Sequence, residues 1–186
     1  ERAANSFLLY NGIGSGILLV AIVLIMVIFQ TLDYAELTNL LTDQETVQDF
    51  ENTYGISPAY RWGILLAILA AFAIKLPVFP LHTWMLRINR EVHPAVVMLE
   101  SGIVLKIGAY GLLRFGVGLF PDLVQQLAVL LAVLGLVNLL GGALMAFVSR
   151  NLESIWAYSS LSHMGIVLLG VAAMNEAGVQ GAMFQM

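Results

Sequence analysis

Two lysines stand in stretches of this chain that otherwise hold almost nothing polar. Lys75 lies in the run Ala73-Ile74-Lys75-Leu76-Pro77-Val78-Phe79-Pro80, and Lys106 lies in the middle of a second run, around Leu105-Lys106-Ile107. An ammonium group near the centre of a bilayer costs roughly 2.5–3.5 kcal/mol on insertion scales, so a lysine in such a place points to function. The chemistry open to it is to take up, hold and release a proton.

Pro77 has no N–H for the carbonyl of Ala73, and Pro80 has none for that of Leu76, so a helix through this stretch must break or kink just after Lys75. Within a membrane such breaks are tolerated only where protein or water satisfies the freed carbonyls, and transporters build ion sites on them. The C-terminal end of a half-helix favours a positive charge and burial opposes it, a balance that suits a group that must both hold and yield a proton. A lysine snorkelling to an interface is the plain alternative. Lys106 lies about a dozen residues from His93 and about as far from Phe120, near the midplane, where snorkelling does not reach water. Gly102 and Tyr110, one turn before and after, share its face and leave room for a partner helix or a file of water plus one hydroxyl. A structural ion pair is the alternative here. Glu100, six residues before Lys106, falls on another face and is a poor direct partner. It is expected to face another helix or a vestibule at the helix end.

The third candidate centre is His163, with Ser159 one turn before it and a parallel pair, Tyr158 and Ser162, alongside. Histidine titrates nearest to physiological pH, and hydroxyls one turn away can order water beside it. Taken alone, a buried histidine is more often a structural donor. His82, just past the break, and His93, before Pro94, lie closer to the helix ends. No two of the three histidines have helical ligand spacing and no carboxylate pair joins them, so no metal site is expected. Nor is there a nucleophile, base and orienter set for hydrolysis.

The elements that must position these groups follow from composition. The 186 residues are 60% hydrophobic and 11% charged, without cysteine, and the mean hydropathy is +0.89. These values describe an integral membrane protein rather than a soluble domain. Absence of cysteine removes disulfides, thiolate metal sites and iron–sulfur ligation, and a net charge of -4 argues against nucleic-acid binding. No secretory signal opens the chain. Five apolar runs are long enough to span: 6–30, 60–86, 94–120, 123–148 and 152–174. The expected fold is an all-α polytopic bundle in one transmembrane domain, 1–186, with the second helix broken at Pro77 and Pro80. A further run, Gly178 to Met186, reads as the start of a sixth helix, and the chain reads as the central fragment of a larger protein.

Arg2, Arg87, Arg90 and Arg150 fall on one side of this bundle, which the positive-inside bias makes cytoplasmic. The opposite side carries the stretch 31–59, expected as an acidic outer loop, with Asp33, Glu36, Asp43, Glu45, Asp49 and Glu51. Arg61 and Arg114 sit at that side against the bias, where snorkelling is cheap. Gly12 and Gly16 in the first helix, and Gly135, Asn138, Gly141 and Gly142 in the fourth, read as packing surfaces for close helix approach.

Three ordered motifs carry a resemblance. Ala73-Ile74-Lys75-Leu76-Pro77-Val78-Phe79-Pro80-Leu81-His82-Thr83-Trp84, Gly102 to Phe115 around Lys106, and Ala157-Tyr158-Ser159-Ser160-Leu161-Ser162-His163-Met164-Gly165 resemble the antiporter-like subunits of respiratory complex I, most of all chain M. The same family includes subunits of multi-subunit sodium/proton antiporters and of membrane-bound hydrogenases. The resemblance implies a subunit of about fourteen helices with inverted five-helix repeats and a midplane row of charged residues that passes protons. It matches Lys75 to the lysine of the broken seventh helix, Lys106 to that of the eighth and His163 to the histidine of the tenth. The family's glutamate on the fifth helix and its distal charged residue on the twelfth would fall outside residues 1–186. The chain departs from the family at Trp84-Met85-Leu86-Arg87-Ile88-Asn89, where an acid is lost, at Glu153-Ser154, where many members carry a basic residue, and at Glu100.

What the resemblance implies is proton translocation coupled to NADH:quinone electron transfer through Lys75, Lys106 and His163, while the reading of the residues themselves adds Pro77, Pro80, His82, Glu100, Tyr110, Ser159 and Ser162 in support. No cofactor is expected in this chain, since any redox chemistry belongs to partner subunits; the expected partners are other membrane subunits of a respiratory or antiporter complex and the lipid bilayer. The alternatives are a cation/proton antiporter subunit carrying Na+ or a hydrogenase subunit, and, in another class, a structural scaffold. The expected location is the cell inner (plasma) membrane.

Overall fold

A computed structural model describes residues 2–42, 47–48 and 59–186. Among the described residues the chain is helical with no strand, as the apolar runs require. Helix α1 spans Arg2–Phe29, α2 Tyr34–Thr42, α3 Ala59–Lys75 and α4 Thr83–Glu91. A continuous helix of varying pitch, α5, runs over Pro94–Val117; α6 spans Pro121–Gln126, α7 Ala128–Val148, α8 Leu152–Ala172 and α9 Glu176–Gln185. Four of these, α1, α5, α7 and α8, are long and apolar enough to cross a membrane.

The second run does not form one span. It divides into α3, of 17 residues, and the short α4, because the two prolines stop the hydrogen-bond ladder where expected, directly after Lys75. Helix α3 alone rises about 26 Å, close to the bilayer core thickness.

The stretch 31–59, read as a loop, is helical over Tyr34–Thr42. Asp33 Oδ1 accepts from Ala35 N at 2.9 Å, a side-chain N-cap, while Leu37 and Leu41, one turn apart, are buried. Asp43, Glu45, Asp49 and Glu51 lie outside the described residues.

The two ends of the bundle are fixed by polar contacts. At one, Arg87 Nη1 donates to Ser6 Oγ at 2.6 Å, Ala3 N to Glu91 Oε2 at 3.3 Å and Arg90 Nε to Ser154 Oγ at 3.0 Å. The starts of α1 and α8 and the end of α4 therefore meet, which puts Arg87 and Arg90 at one end as their spacing predicts. At the other end Arg61 pairs with Asp122 at 3.0 Å and donates to Leu41 O at 3.2 Å, and the Arg114 guanidinium lies 3.7 Å from the centre of the Tyr34 ring. Both arginines expected to snorkel are held by protein groups instead.

Close packing falls on other glycines than some expected. A methyl group added at Gly12 or Gly16 would meet nothing within 4 Å, whereas one at Gly14 would lie 3.4 Å from Ala71 O on α3. Two residues apart on a helix means nearly opposite faces, so Gly12 and Gly16 face away from α3. In α7 the expected surface holds at Gly135 and Gly142, which abut α8, but Gly141 is open.

Candidate functional site

The site is built around the break. Leu76 N still donates to Phe72 O at 2.7 Å, and the Ala73 carbonyl that Pro77 leaves free accepts from Val78 N at 3.0 Å. Ile74 O accepts from the indole Nε1 of Trp84, 10 residues on, at 3.0 Å. Beyond the prolines the backbone is held from α7: Phe79 N donates to Asn138 Oδ1 at 2.8 Å, and Asn138 Nδ2 donates to Pro77 O at 3.4 Å. Asn138 is 1% exposed. Beyond the intact Leu76–Phe72 bond, these contacts replace ones that the broken helix cannot make for itself.

Lys75 thus ends a half-helix, and its ammonium turns to α1, where Nζ donates to Ser15 Oγ at 3.1 Å. The helix that carries Lys106 crosses the chain at this same point. A methyl group added at Gly108 would sit 2.8 Å from Leu76 N and 3.1 Å from Lys75 Cβ, so only a glycine lets α5 lie against the break.

Lys106 sits just beyond a widened turn. Over Glu100–Val104 the helix is π-helical: Leu105 N–H donates to Glu100 O, five residues back, rather than to Ser101 O. Lys106 Nζ reaches back over that turn and donates to Ser101 O at 2.9 Å. Glu100 makes no direct ion pair with Lys106, in keeping with their different faces, but the two share Ser101, whose hydroxyl donates to Glu100 Oε2 at 3.4 Å. Tyr110, expected beside Lys106, is 55% exposed.

His163 lies on an exposed face of α8 rather than buried, and its Nδ1 is in hydrogen-bond contact with the Gln185 amide nitrogen at 2.9 Å. Ser162 does not serve it, because its hydroxyl donates across to Leu139 O on α7 at 3.0 Å. Ser159 is half-buried one turn away. His82, half-buried between the break and α4, stacks on Phe79 with ring centroids 5.4 Å apart. Pro80 follows a cis peptide bond from Phe79.

Among the described residues no hydrogen bond joins the three centres: Lys75 bonds to α1, Lys106 to its own helix and His163 to α9. What sequence reasoning missed are their holders, Ser15, Ser101, Asn138 and Gln185. Asn138 carried a signal, since a carboxamide in the middle of an apolar helix must have found a partner.

The sequence profile of the family described as "NADH:quinone oxidoreductase/Mrp antiporter, TM" matches residues 1–186. The chain belongs to that family. The chain is similar to the NAD(P)H-quinone oxidoreductase chain 4 of Gloeobacter violaceus, 41% identical over 184 residues, covering 99% of this chain and 33% of the relative. The chain thus spans about a third of the length of the curated relatives it matches. Among solved structures it is similar to a chain of the Mrp complex from Dietzia sp. DQ12-45-1b, with a TM-score of 0.80 and 27% identity over 99% of this chain and 32% of that one. It is also similar to a chain of respiratory complex I from Thermus thermophilus with bound NADH, with a TM-score of 0.78 and 26% identity over 99% of this chain and 39% of that one. The family is a transmembrane one, in agreement with the apolar helices of this fold.

Proposed function

We propose that the protein translocates protons across the membrane as an antiporter-like subunit of a larger complex, driven by NADH:quinone electron transfer in partner subunits. The observation that carries this reading is a helix broken directly after Lys75, with the Lys106 helix pressed against the break at Gly108. In the proposed mechanism an acid from outside residues 1–186 pairs with Lys75 and holds it protonated. When that pair loosens, the proton passes through ordered water, by way of His163, to Lys106 and onward. Pro77 and Pro80 keep the backbone open there, and His82, Glu100, Tyr110, Ser159 and Ser162 line or support the path. The relatives named NAD(P)H-quinone oxidoreductase chain 4 support the link to quinone reduction. The chain itself binds no redox cofactor in this reading. It sits in the plasma membrane with the Arg87 and Arg90 end in the cytoplasm.

The likeness to the Mrp complex, as strong as that to complex I, favours a second reading, a cation/proton antiporter subunit that runs on ion gradients alone. Sodium-driven proton flux measured with and without NADH and a quinone separates the two. A scaffold without transport is the reading of another class. Lys75→Ala and Lys106→Ala in the full-length protein are expected to cut translocation while the complex still assembles. Wild-type pumping by both variants would leave the scaffold.

A further inference from the structure

Glu100 has a place that the lysine path leaves unexplained. It is 4% exposed, and its Oε1 has no hydrogen-bond partner among the described residues. A buried carboxylate oxygen without a partner, inside a membrane span, is costly to keep. Ser101 connects it to Lys106, with the hydroxyl on the acid and the carbonyl on the amine, and the π-helical turn is what leaves that carbonyl for the amine.

On its other side Ser101 lines a cleft of about 290 Å³ between the α4–α5 junction and α8, where Asn89, Glu153, Trp156 and Ser160 also contribute. Pro94 to Ser101 on one wall and Glu153 to Ser160 on the other are each seven residues, so the cleft reaches roughly 10 Å inward from the arginine-bearing end. Its mouth carries a carboxylate, and its depth offers the polar partners that a buried water needs.

We propose that this cleft is a route by which protons reach Lys106, and that Glu100 receives them first. Glu100 lies behind the cleft wall, so a proton delivered by water in the cleft passes over the Ser101 hydroxyl, which takes up one proton and gives its own to the Glu100 carboxylate. The resulting acid passes that proton through water to the neutral Lys106 amine, leaving a carboxylate at the Ser101 hydroxyl and an ammonium at the Ser101 carbonyl. This rests on the reading that Lys106 lies on the proton path.

The test uses the full-length protein in its complex, reconstituted into sealed vesicles. Glu100→Gln keeps the size of the side chain and an acceptor for Ser101, but cannot carry a proton. It is expected to slow translocation by about 100-fold, the lower end of what a positioned proton donor contributes, and Glu100→Asp to recover part of it. Because residues 1–186 contain no cysteine, Ser160→Cys can be modified in the cleft with a bulky methanethiosulfonate and restored with reductant. Modification is expected to slow translocation reversibly, relative to the wild-type complex treated in the same way. Translocation at the wild-type rate by Glu100→Gln, or a modified Ser160→Cys that works as well as the unmodified one, overturns the route. If Lys106→Ala is inactive while Glu100→Gln is normal, only the route fails; if Lys106→Ala is also normal, the proton path fails with it. Should Glu100→Gln not assemble, the modified Ser160→Cys decides.

Discussion

Replacing Asn138 by leucine tests whether α7 holds the broken helix in place. The leucine keeps the volume but removes the acceptor of Phe79 N, 2.8 Å away, and the weaker donor to Pro77 O at 3.4 Å. Orphaning a buried donor costs about 1–3 kcal/mol. Hydrogen bonds between membrane helices average only about 0.6 kcal/mol, because a separated helix finds other partners. Phe79 lies between two prolines, and its N–H has no intact ladder to return to, so the expected loss lies in the higher range. At about 1.4 kcal/mol per factor of ten, it would raise opening of this segment by about 5- to 150-fold. The assay is hydrogen–deuterium exchange by mass spectrometry on the full-length protein in lipid nanodiscs, read on peptides covering residues 76–84. Faster exchange confined to those peptides is the expected result. Unchanged exchange there, in a variant that folds, would refute the claim that Asn138 substitutes for the missing ladder.

Two further outcomes follow from the packing and the ends. Gly108→Ala places a methyl 2.8 Å from Leu76 N, a backbone atom that cannot step aside, so thermal stability in detergent should fall by about 1–3 kcal/mol with translocation, while Gly12→Ala, facing open space, should match wild type in both. Asp122→Asn removes the charge opposite Arg61, whose side chains are 15% and 31% exposed, so the loss should be at most about 1 kcal/mol and should shrink as salt is added; a larger, salt-independent loss would mean that the pair is effectively buried.

Helix type and the break after Lys75 were legible because each is a local property. An apolar run of about 20 residues has no alternative to a helix in lipid. Proline lacks its donor whatever surrounds it. The arginine-bearing end was equally legible, since Arg87 and Arg90 meet α1 and α8 as their spacing requires. Less legible was α2, because an Asp33 cap and two leucines are a faint signal amid acidic residues.

What the sequence alone determined is that this chain crosses membranes as helices, that its second helix fails at Pro77 and that two lysines stand within apolar runs. Only the tertiary structure decided which atoms meet them: Ser15 for Lys75, the Ser101 carbonyl for Lys106, Gln185 for His163 and Asn138 for the open backbone. The reason is range. A missing donor or a hydrophobic run acts within one turn of its own residue, whereas a partner 59 or 60 residues away is chosen by how whole helices pack, and that depends on which glycine faces which neighbour.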